Sequence, residues 1–364
     1  MSAFQDPELV KGLASRIVRL AEKLPRRVTF MEVCGTHTNA IAAAGLRRLL
    51  PPQVRLISGP GCPVCVTPVA YVDRAVALAR HPDTILATFG DLLRVPASVG
   101  SLEQARAEGC RVQVVYSPHD AVELAAAHPE ARVVFAGVGF ETTVPTVAAA
   151  LLEAEERGLG NFFVLSGHKV MPPALEALLA DPTLALDGLI LPGHVSVIIG
   201  ARAYRPLLAR HPIPAAISGF TPVDVLRTVA ELVQQVVEGR AELVNLYGRV
   251  VREEGNVTAW SLLERVFVPT DARWRGLGDI PGSGLGLAPA FASRDAAQFP
   301  ATLPAPKEPP GCRCGDVLRG LIDPPECPLF ATACTPDTAV GACMVSAEGA
   351  CAAWYRHERM AGVA

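Results

Sequence analysis

No basic cluster occurs anywhere in this sequence, and no apolar run reaches the ~20 residues that a membrane-spanning helix needs. Lys and Arg number 33 against 36 Asp and Glu, a formal charge of −3. The chain therefore lacks the field that holds a phosphate backbone, and nucleic acid and anionic membrane are excluded as expected partners. A GKS/T phosphate loop is missing too, and the Gly-x-Gly of residues 137–139 does not complete a GxGxxG pattern, so nucleotide binding is a minor reading. The stretch MSAFQDPELVKGLASRIVRL carries acidic residues early and no apolar run of signal type. The expected compartment is the cytoplasm.

Charged residues are only 19% of the chain and hydrophobic ones 50%, which is apolar material for two or three domains of roughly 100–200 residues each. What the chain does have is cysteine, ten in all. In a reducing compartment structural disulfides are a poor expectation, and clustered cysteines point to metal or catalytic chemistry. Cys34, Cys62 and Cys65 lie near the start, and Cys110 stands alone as an ordinary buried thiol. Cys312, Cys314, Cys327, Cys334, Cys343 and Cys351 crowd the end.

From 27 to 240 one phrase recurs: a short apolar or β-branched run, a Gly- or Pro-marked turn, then a longer Ala/Leu-rich stretch. That is a βα unit. The runs are VTFMEV (28–33), VRLIS (54–58), TILATF (84–89), VQVVYS (112–117), VVFAGV (133–138), FFVLS (162–166), GLILP (188–192) and AAISGF (215–220). Strands apolar on both faces need helices on both sides, so the units form either one barrel or two doubly wound sheets. The preferred fold is α/β, with two similar doubly wound parallel-sheet domains at 1–120 and 121–240 joined by a helix through HDAVELAAAHPEAR. A third part, 241–364, is expected to hold an amphipathic helix through VNLYGRVVREEGN, a Gly/Pro-rich loop over 270–311 and a small cysteine-rich iron-sulfur domain.

Almost every run leads straight into a polar motif: CGTHT, GPGCPVC and FGD, then GFETT, SGHK, PGH and SGFTP. Open parallel sheets bind ligands beyond the carboxyl ends of their strands, so these motifs are expected to line a cleft. Cys34 stands at a strand end before a helix, whose amides and dipole favour a thiolate. Cys62 and Cys65 form a CxxC on a Gly-Pro-Gly turn, open to metal chelation or thiol redox work. His37, His168 and His194 follow strands within Gly-marked turns and are candidates for proton transfer or for orienting ligands, with satisfaction by backbone groups an equal reading. Glu141 either joins the site or caps the next helix with Thr142 and Thr143. His81, His128 and His211 each precede a proline at the close of an Ala-rich stretch, and their reading is structural.

The last segment, from Cys312 onward, has six cysteines among Pro and Gly turns and hardly enough apolar residues for a core. A metal cluster is expected there. Zinc ribbons usually pair two CxxC knuckles and this segment has none, so an iron-sulfur cluster fits better.

The motifs CGTHT, GPGCPVC, GFETT, SGHKVMPPA, GHVSVIIG, CRCGD, CTP and GACMVSAEGAC, in this order over essentially the whole chain, resemble the HypD family. The resemblance implies a [4Fe-4S] cluster and work in [NiFe]-hydrogenase maturation with a HypC-type small chaperone and a HypE-type cyanide donor. It implies that Cys34, Cys62 and Cys65 are the thiols of the iron site, where an Fe(II) with two cyanides and one carbonyl is assembled. It also implies that Cys312, Cys327, Cys334 and Cys351 hold the cluster, leaving Cys314 and Cys343 as a redox pair. The expected role is a redox-active assembly scaffold rather than a conventional turnover enzyme. Two other readings compete: a thiol-disulfide reductase resembling ferredoxin-thioredoxin reductase, and a purely structural iron-sulfur adaptor.

Overall fold

The computed structural model describes residues 6–359. Each expected run contains a strand: β1 Val28–Glu32, β2 Val54–Ser58, β3 Thr84–Thr88, β4 Val112–Val114, β5 Arg132–Gly137, β6 Phe162–Ser166, β7 Gly188–Leu191 and β8 Ala215–Ile217. All pair in parallel, in two sheets with helices between successive strands. Burial explains the composition: β3 and β7 are buried at every position, and only strands covered on both faces can be apolar throughout.

The strands do not divide at residue 120. β3 to β6 form one four-stranded sheet in the order β4-β3-β5-β6. β1 and β2 pair instead with late strands, β7, β8 and a further β9 (Leu243–Asn245), in the order β2-β1-β7-β8-β9. The strands of one sheet are thus inserted between β2 and β7 of the other, and the expected boundary between 1–120 and 121–240 does not separate the sheets. The physical reason is that β1 needs a strand on each side, and the wholly buried GLIL of β7 supplies the second, Phe30 opposite Gly188 and Glu32 opposite Ile190. Helix Pro118–Ala127, expected as a link between domains, joins β4 to β5 within one sheet.

Two further expectations in 241–364 are corrected. VNLYGRVVREEGN is not an amphipathic helix: its start is in β9, the rest turns, and the helix comes later at Val257–Val266. The stretch expected as a loop over 270–311 opens with an antiparallel hairpin of β10 (Phe267–Trp274) and β11 (Gly278–Leu287). Its glycines supply the turn and bulge rather than a linker, with Gly276, Gly278 and Gly282 all at positive φ. Phe267 and Leu285 of the hairpin share a core with Phe135 and Val164 of the four-stranded sheet.

Helix ends follow the sequence signals. His128 and His211 cap helices Pro118–Ala127 and Arg205–Arg210, and His81 lies just past Val69–Ala79. The terminal cysteine region is not a detached unit. Val317, Leu318, Cys343, Met344 and Val345 share one buried cluster with Met31, Ile57 and Val66, and the last helix, Ala350–His357, packs on Gly35–Ala43.

Candidate thiol and metal site

The carboxyl ends of β1, β3, β5 and β7 meet around a cavity of about 260 Å3, so both sheets contribute to it. Cys34, Thr36, Asp91, Thr142, His194 and Glu348 supply its polar lining. Cys34 leaves β1 in extended conformation and caps helix Gly35–Ala43. Burial pushes its thiol up to about 12, aided by the Glu348 and Glu32 carboxylates, while the amides of His37 and Thr36 pull the other way. The helix amides expected from the sequence are therefore present at the sulfur, but burial outweighs them at the free thiol. A cation that replaces the proton removes that conflict, since a metal binds the thiolate.

Two carboxylates that sequence reasoning missed frame this thiol. Glu32, wholly buried at the end of β1, accepts from the Cys34 amide at 3.2 Å and from the Thr38 hydroxyl at 2.5 Å. Burial pushes its carboxyl up to about 7. Its signal was legible: a charged residue closes the otherwise apolar run VTFMEV. Glu348 accepts from the Thr36 hydroxyl at 2.9 Å, and it had no signal, because only the fold brings the terminal segment to the first helix. Asp91, in the FGD motif, accepts from the Ser346 hydroxyl at 2.8 Å beside it.

The candidate histidines separate. His194 lines the cavity, stacks on Phe220 with ring centroids 4.0 Å apart, and is shifted down by burial. His37 turns its ring away: Nε2 donates to the Gly219 carbonyl at 2.9 Å, Nδ1 has no partner, and burial lowers it to about 4. His168 and Glu141 lie outside the cavity lining. His168 is buried against Phe267, with Nδ1 3.1 Å from the Ser166 hydroxyl. Glu141 accepts the Met171 amide at 2.8 Å, at the start of helix Met171–Leu179, and the expected cap on the helix that follows it, Val144–Glu156, is not formed.

Cys62 and Cys65 are joined as a disulfide. A bridge between residues three apart closes so short a loop that it adds little chain-entropy stabilisation, which suits a cycling pair better than a staple. Gly61 holds this turn on the Cys34 turn: its carbonyl accepts the Gly35 amide at 2.9 Å, and a Cβ on it would fall 2.2 Å from the Cys34 nitrogen. On the far side, Cys65 Sγ lies 4.0 Å from the Ala342 carbonyl, next to Cys343. Cys343 Sγ is in turn 2.8 Å from Cys314 Sγ.

All six terminal cysteines converge on one small pocket of about 10 Å3 with Leu329, Phe330 and Met344. The lining offers sulfur donors in apolar surroundings and no carboxylate or imidazole, a donor set that fits an iron-sulfur cluster. Cys110 lies apart from both groups and is partly exposed. No helix among the described residues is long and apolar enough to cross a membrane.

Residues 8–358 match the family model described as HypD: Hydrogenase formation hypA family. The chain is 45% identical over 357 residues to the hydrogenase maturation factor HypD of Escherichia coli (strain K12), covering 97% of this chain and 95% of the relative. It is 47% identical over 364 residues to the hydrogenase expression/formation protein HupD of Azotobacter chroococcum mcd 1, covering 98% and 96%. The Rhodobacter capsulatus hydrogenase maturation factor HypD is 43% identical over 366 residues, covering 98% and 97%. Agreement of that extent spans both sheets, the hairpin and the cysteine-rich end, so the chain belongs to the HypD family.

Proposed function

We propose that the chain acts in hydrogenase maturation as the scaffold on which an iron carrying two cyanides and one carbonyl is assembled, in complex with a HypC-type chaperone and a HypE-type cyanide donor. The carrying observation is the placement of Cys34, a helix-capping thiol in a cavity, beside the Cys62–Cys65 bridge, which itself lies against the segment holding Cys314 and Cys343. The names of the relatives, hydrogenase maturation factor among them, support the same pathway.

In this reading Fe(II) is cargo. Cys34 gives it a soft anionic donor and leaves positions open for cyanide, carbonyl and a partner's thiolate. His194 and Glu348, in the same cavity, hold protons or hydrogen bonds at the cargo's ligands. Cys312, Cys327, Cys334 and Cys351 hold the [4Fe-4S] cluster, which supplies electrons when bound. The Cys314 and Cys343 dithiol then reduces the Cys62–Cys65 bridge. One thiolate attacks a bridge sulfur, its neighbour displaces the mixed disulfide, the donors end as a disulfide, and two protons finish on Cys62 and Cys65.

A thiol-disulfide reductase would use the same bridge and dithiol, and their proximity favours that reading too, but it leaves the Cys34 cavity without a role. Infrared spectroscopy of the anaerobically purified complex with a HypC-type partner separates the two. Cyanide and carbonyl bands are expected in the wild type and lost in Cys34→Ser, whose iron-sulfur content stays normal. Unchanged bands in Cys34→Ser would place the iron elsewhere, and disulfide reductase activity without such bands supports the second reading.

A further inference from the structure

One nearly buried ion pair beside the cavity has no part in the scheme above. Arg47 stands in the short helical turn Leu46–Leu49 that follows helix Gly35–Ala43, and Glu358 caps the end of helix Ala350–His357. Their side chains meet at 2.5 Å and are only 13% and 10% exposed. Taking two charges out of water costs more than the pair returns unless further groups satisfy it, so the other partners of the guanidinium show what holds it there. Nε donates to the Leu56 carbonyl and Nη2 to the Ser58 hydroxyl, each at 3.4 Å. The guanidinium carbon also lies 5.1 Å from the centroid of the Trp354 ring, within cation–π range. Arg47 thus grips the last helix at Trp354 and Glu358, and the end of β2 at Leu56 and Ser58.

The two grips lead to the two candidate metal sites. Along the last helix, Cys351 of the cysteine pocket lies one turn before Trp354, and Glu348 of the cavity wall comes just ahead of the capping Gly349. Along β2, Ser58 stands opposite Glu32 in the register with β1, both are buried, and its hydroxyl bonds the Glu32 carboxyl. Glu32 in turn holds the Cys34 amide at 3.2 Å. Each step is a contact between neighbours: Glu358 to Arg47, Arg47 to Ser58, Ser58 to Glu32, Glu32 to the main chain of Cys34. The terminal segment has no slack where it meets this line, since a Cβ on Gly35 would fall 2.4 Å from the Glu348 Cβ.

We infer that Arg47 is the positioning residue that couples the two sites: it seats the last helix, with Cys351 and the adjoining Glu348, on the same hydrogen-bonded line that orients Cys34. The inference rests on the proposed cluster and iron sites and deepens that reading by giving their filling an order. A cluster bound through Cys351 fixes one end of the helix while Arg47 fixes the other, so the cavity wall is set before cargo arrives. With the cluster absent, the helix is held at one end only and the orientation of Cys34 loosens with it. Such coupling is reciprocal, because both sites bias one element. The forked guanidinium is needed because one side chain must serve a carboxylate, a carbonyl and a hydroxyl together, which an ammonium on a flexible stem does not do.

The test uses the full chain, purified anaerobically with its iron and sulfide, as wild type, Arg47→Gln, the cluster-ligand variant Cys327→Ala and the double variant. Cys34 is alkylated with iodoacetamide in the native protein, and its rate is read by mass spectrometry. Arg47→Gln and Cys327→Ala are each expected to speed the reaction about tenfold, the scale of an ordinary coupling between sites. The double variant should be no faster than either single one, because both break the same line. Effects that multiply in the double variant, as a merely structural arginine would give, overturn the inference. So does a folded Arg47→Gln that reacts at the wild-type rate. Leu151→Ala, a cavity in the core of the other sheet, controls for general loosening and should leave the Cys34 rate unchanged; an equal rise there also overturns the inference. Should Arg47→Gln fail to fold, Arg47→Lys takes its place in the cycle with the same pattern and a weaker effect, and the same outcomes decide. A wild type without iron and sulfide sinks the cluster reading itself, and the coupling with it.

Discussion

The main-chain amide of Cys34 donates to Oε2 of Glu32 at 3.2 Å, so the residue that ends β1 holds the thiol that opens the cavity. The other oxygen of the same carboxyl accepts the Thr38 hydroxyl, fixing the first turn of the helix as well. Glu32→Ala leaves the buried Cys34 amide without an acceptor, at about 1–3 kcal/mol, and leaves the Thr38 hydroxyl only the Cys34 carbonyl at 3.4 Å, a smaller cost of about 1 kcal/mol. A loss of roughly 2–4 kcal/mol in urea unfolding is expected, with Cys34 alkylated faster in the native protein. An unchanged urea midpoint would contradict this role.

Gly61→Ala tests the contact between the two cysteine turns. The new methyl would meet backbone, 2.2 Å from the Cys34 nitrogen and 2.4 Å from its Cα, and backbone cannot rotate aside. The expected cost is about 1–3 kcal/mol or more, with iron loading impaired although every thiol is retained. Gly12→Ala, inside helix Pro7–Ala21 with nothing within 4 Å of the added carbon, is the control and should be no less stable than wild type, since Ala is favoured over Gly in a helix interior by about 0.5–1 kcal/mol.

The division of the terminal cysteines is open to direct measurement. Cys327→Ala is expected to lose the brown chromophore and the labile sulfide of the cluster, because four thiolates are its usual complement. Cys314→Ala should keep both and lose only exchange with the Cys62–Cys65 bridge. A full cluster in Cys327→Ala, or none in Cys314→Ala, would show that the six are divided differently.

Two buried groups set opposite pH dependences. Burial pushes Glu141 up to about 7, and its Oε2 has no hydrogen bond. A raised carboxyl contributes stability that is full below its ordinary value of 4.5 and lost as pH rises through about 7. Burial, with the Lys169 charge, pushes His168 down to about 3. A lowered histidine contributes stability that is full above 6.5 and lost as pH falls toward 3. From pH 5 to 8, Glu141→Gln should therefore gain on the wild type, and from pH 6.5 to 4, His168→Asn should lose less than the wild type. Each difference is on the order of 3 kcal/mol, read from urea curves, and parallel profiles would exclude both assignments.

The strands were legible because buried parallel strands leave an apolar signature that needs no partner to be read, and VRLIS and FFVLS match β2 and β6 to the residue. The pairing of β1 with β7 was not legible, because register between distant strands is set by packing across the sheet. Cys34 and His194 could be read as site residues from their place after strands. Their neighbour Glu348 could not, since it sits among terminal cysteines and reaches Thr36 only through the packing of Ala350–His357 on Gly35–Ala43. His37 differs for a related reason: Cys34 is the extended cap and not a residue of the helix, so the three-residue spacing does not put the two on one helix face, and the His37 ring meets Gly219 and Phe220 rather than the sulfur.

The pairing of β1 with β7 also sets an order of events during synthesis. A chain leaving the ribosome completes all strands of the four-stranded sheet by residue 166, while β1 and β2 still await β7 at Gly188–Leu191. Until then β1 presents an open, apolar edge, the kind of surface that chaperones bind and that aggregates when left bare. The pocket gains His194 only after that closure, and Glu348 only once the cysteine-rich segment has been made. Under the proposed function, cargo therefore has nowhere to sit on a nascent chain until both segments are in place, and loading follows the closure of the pocket.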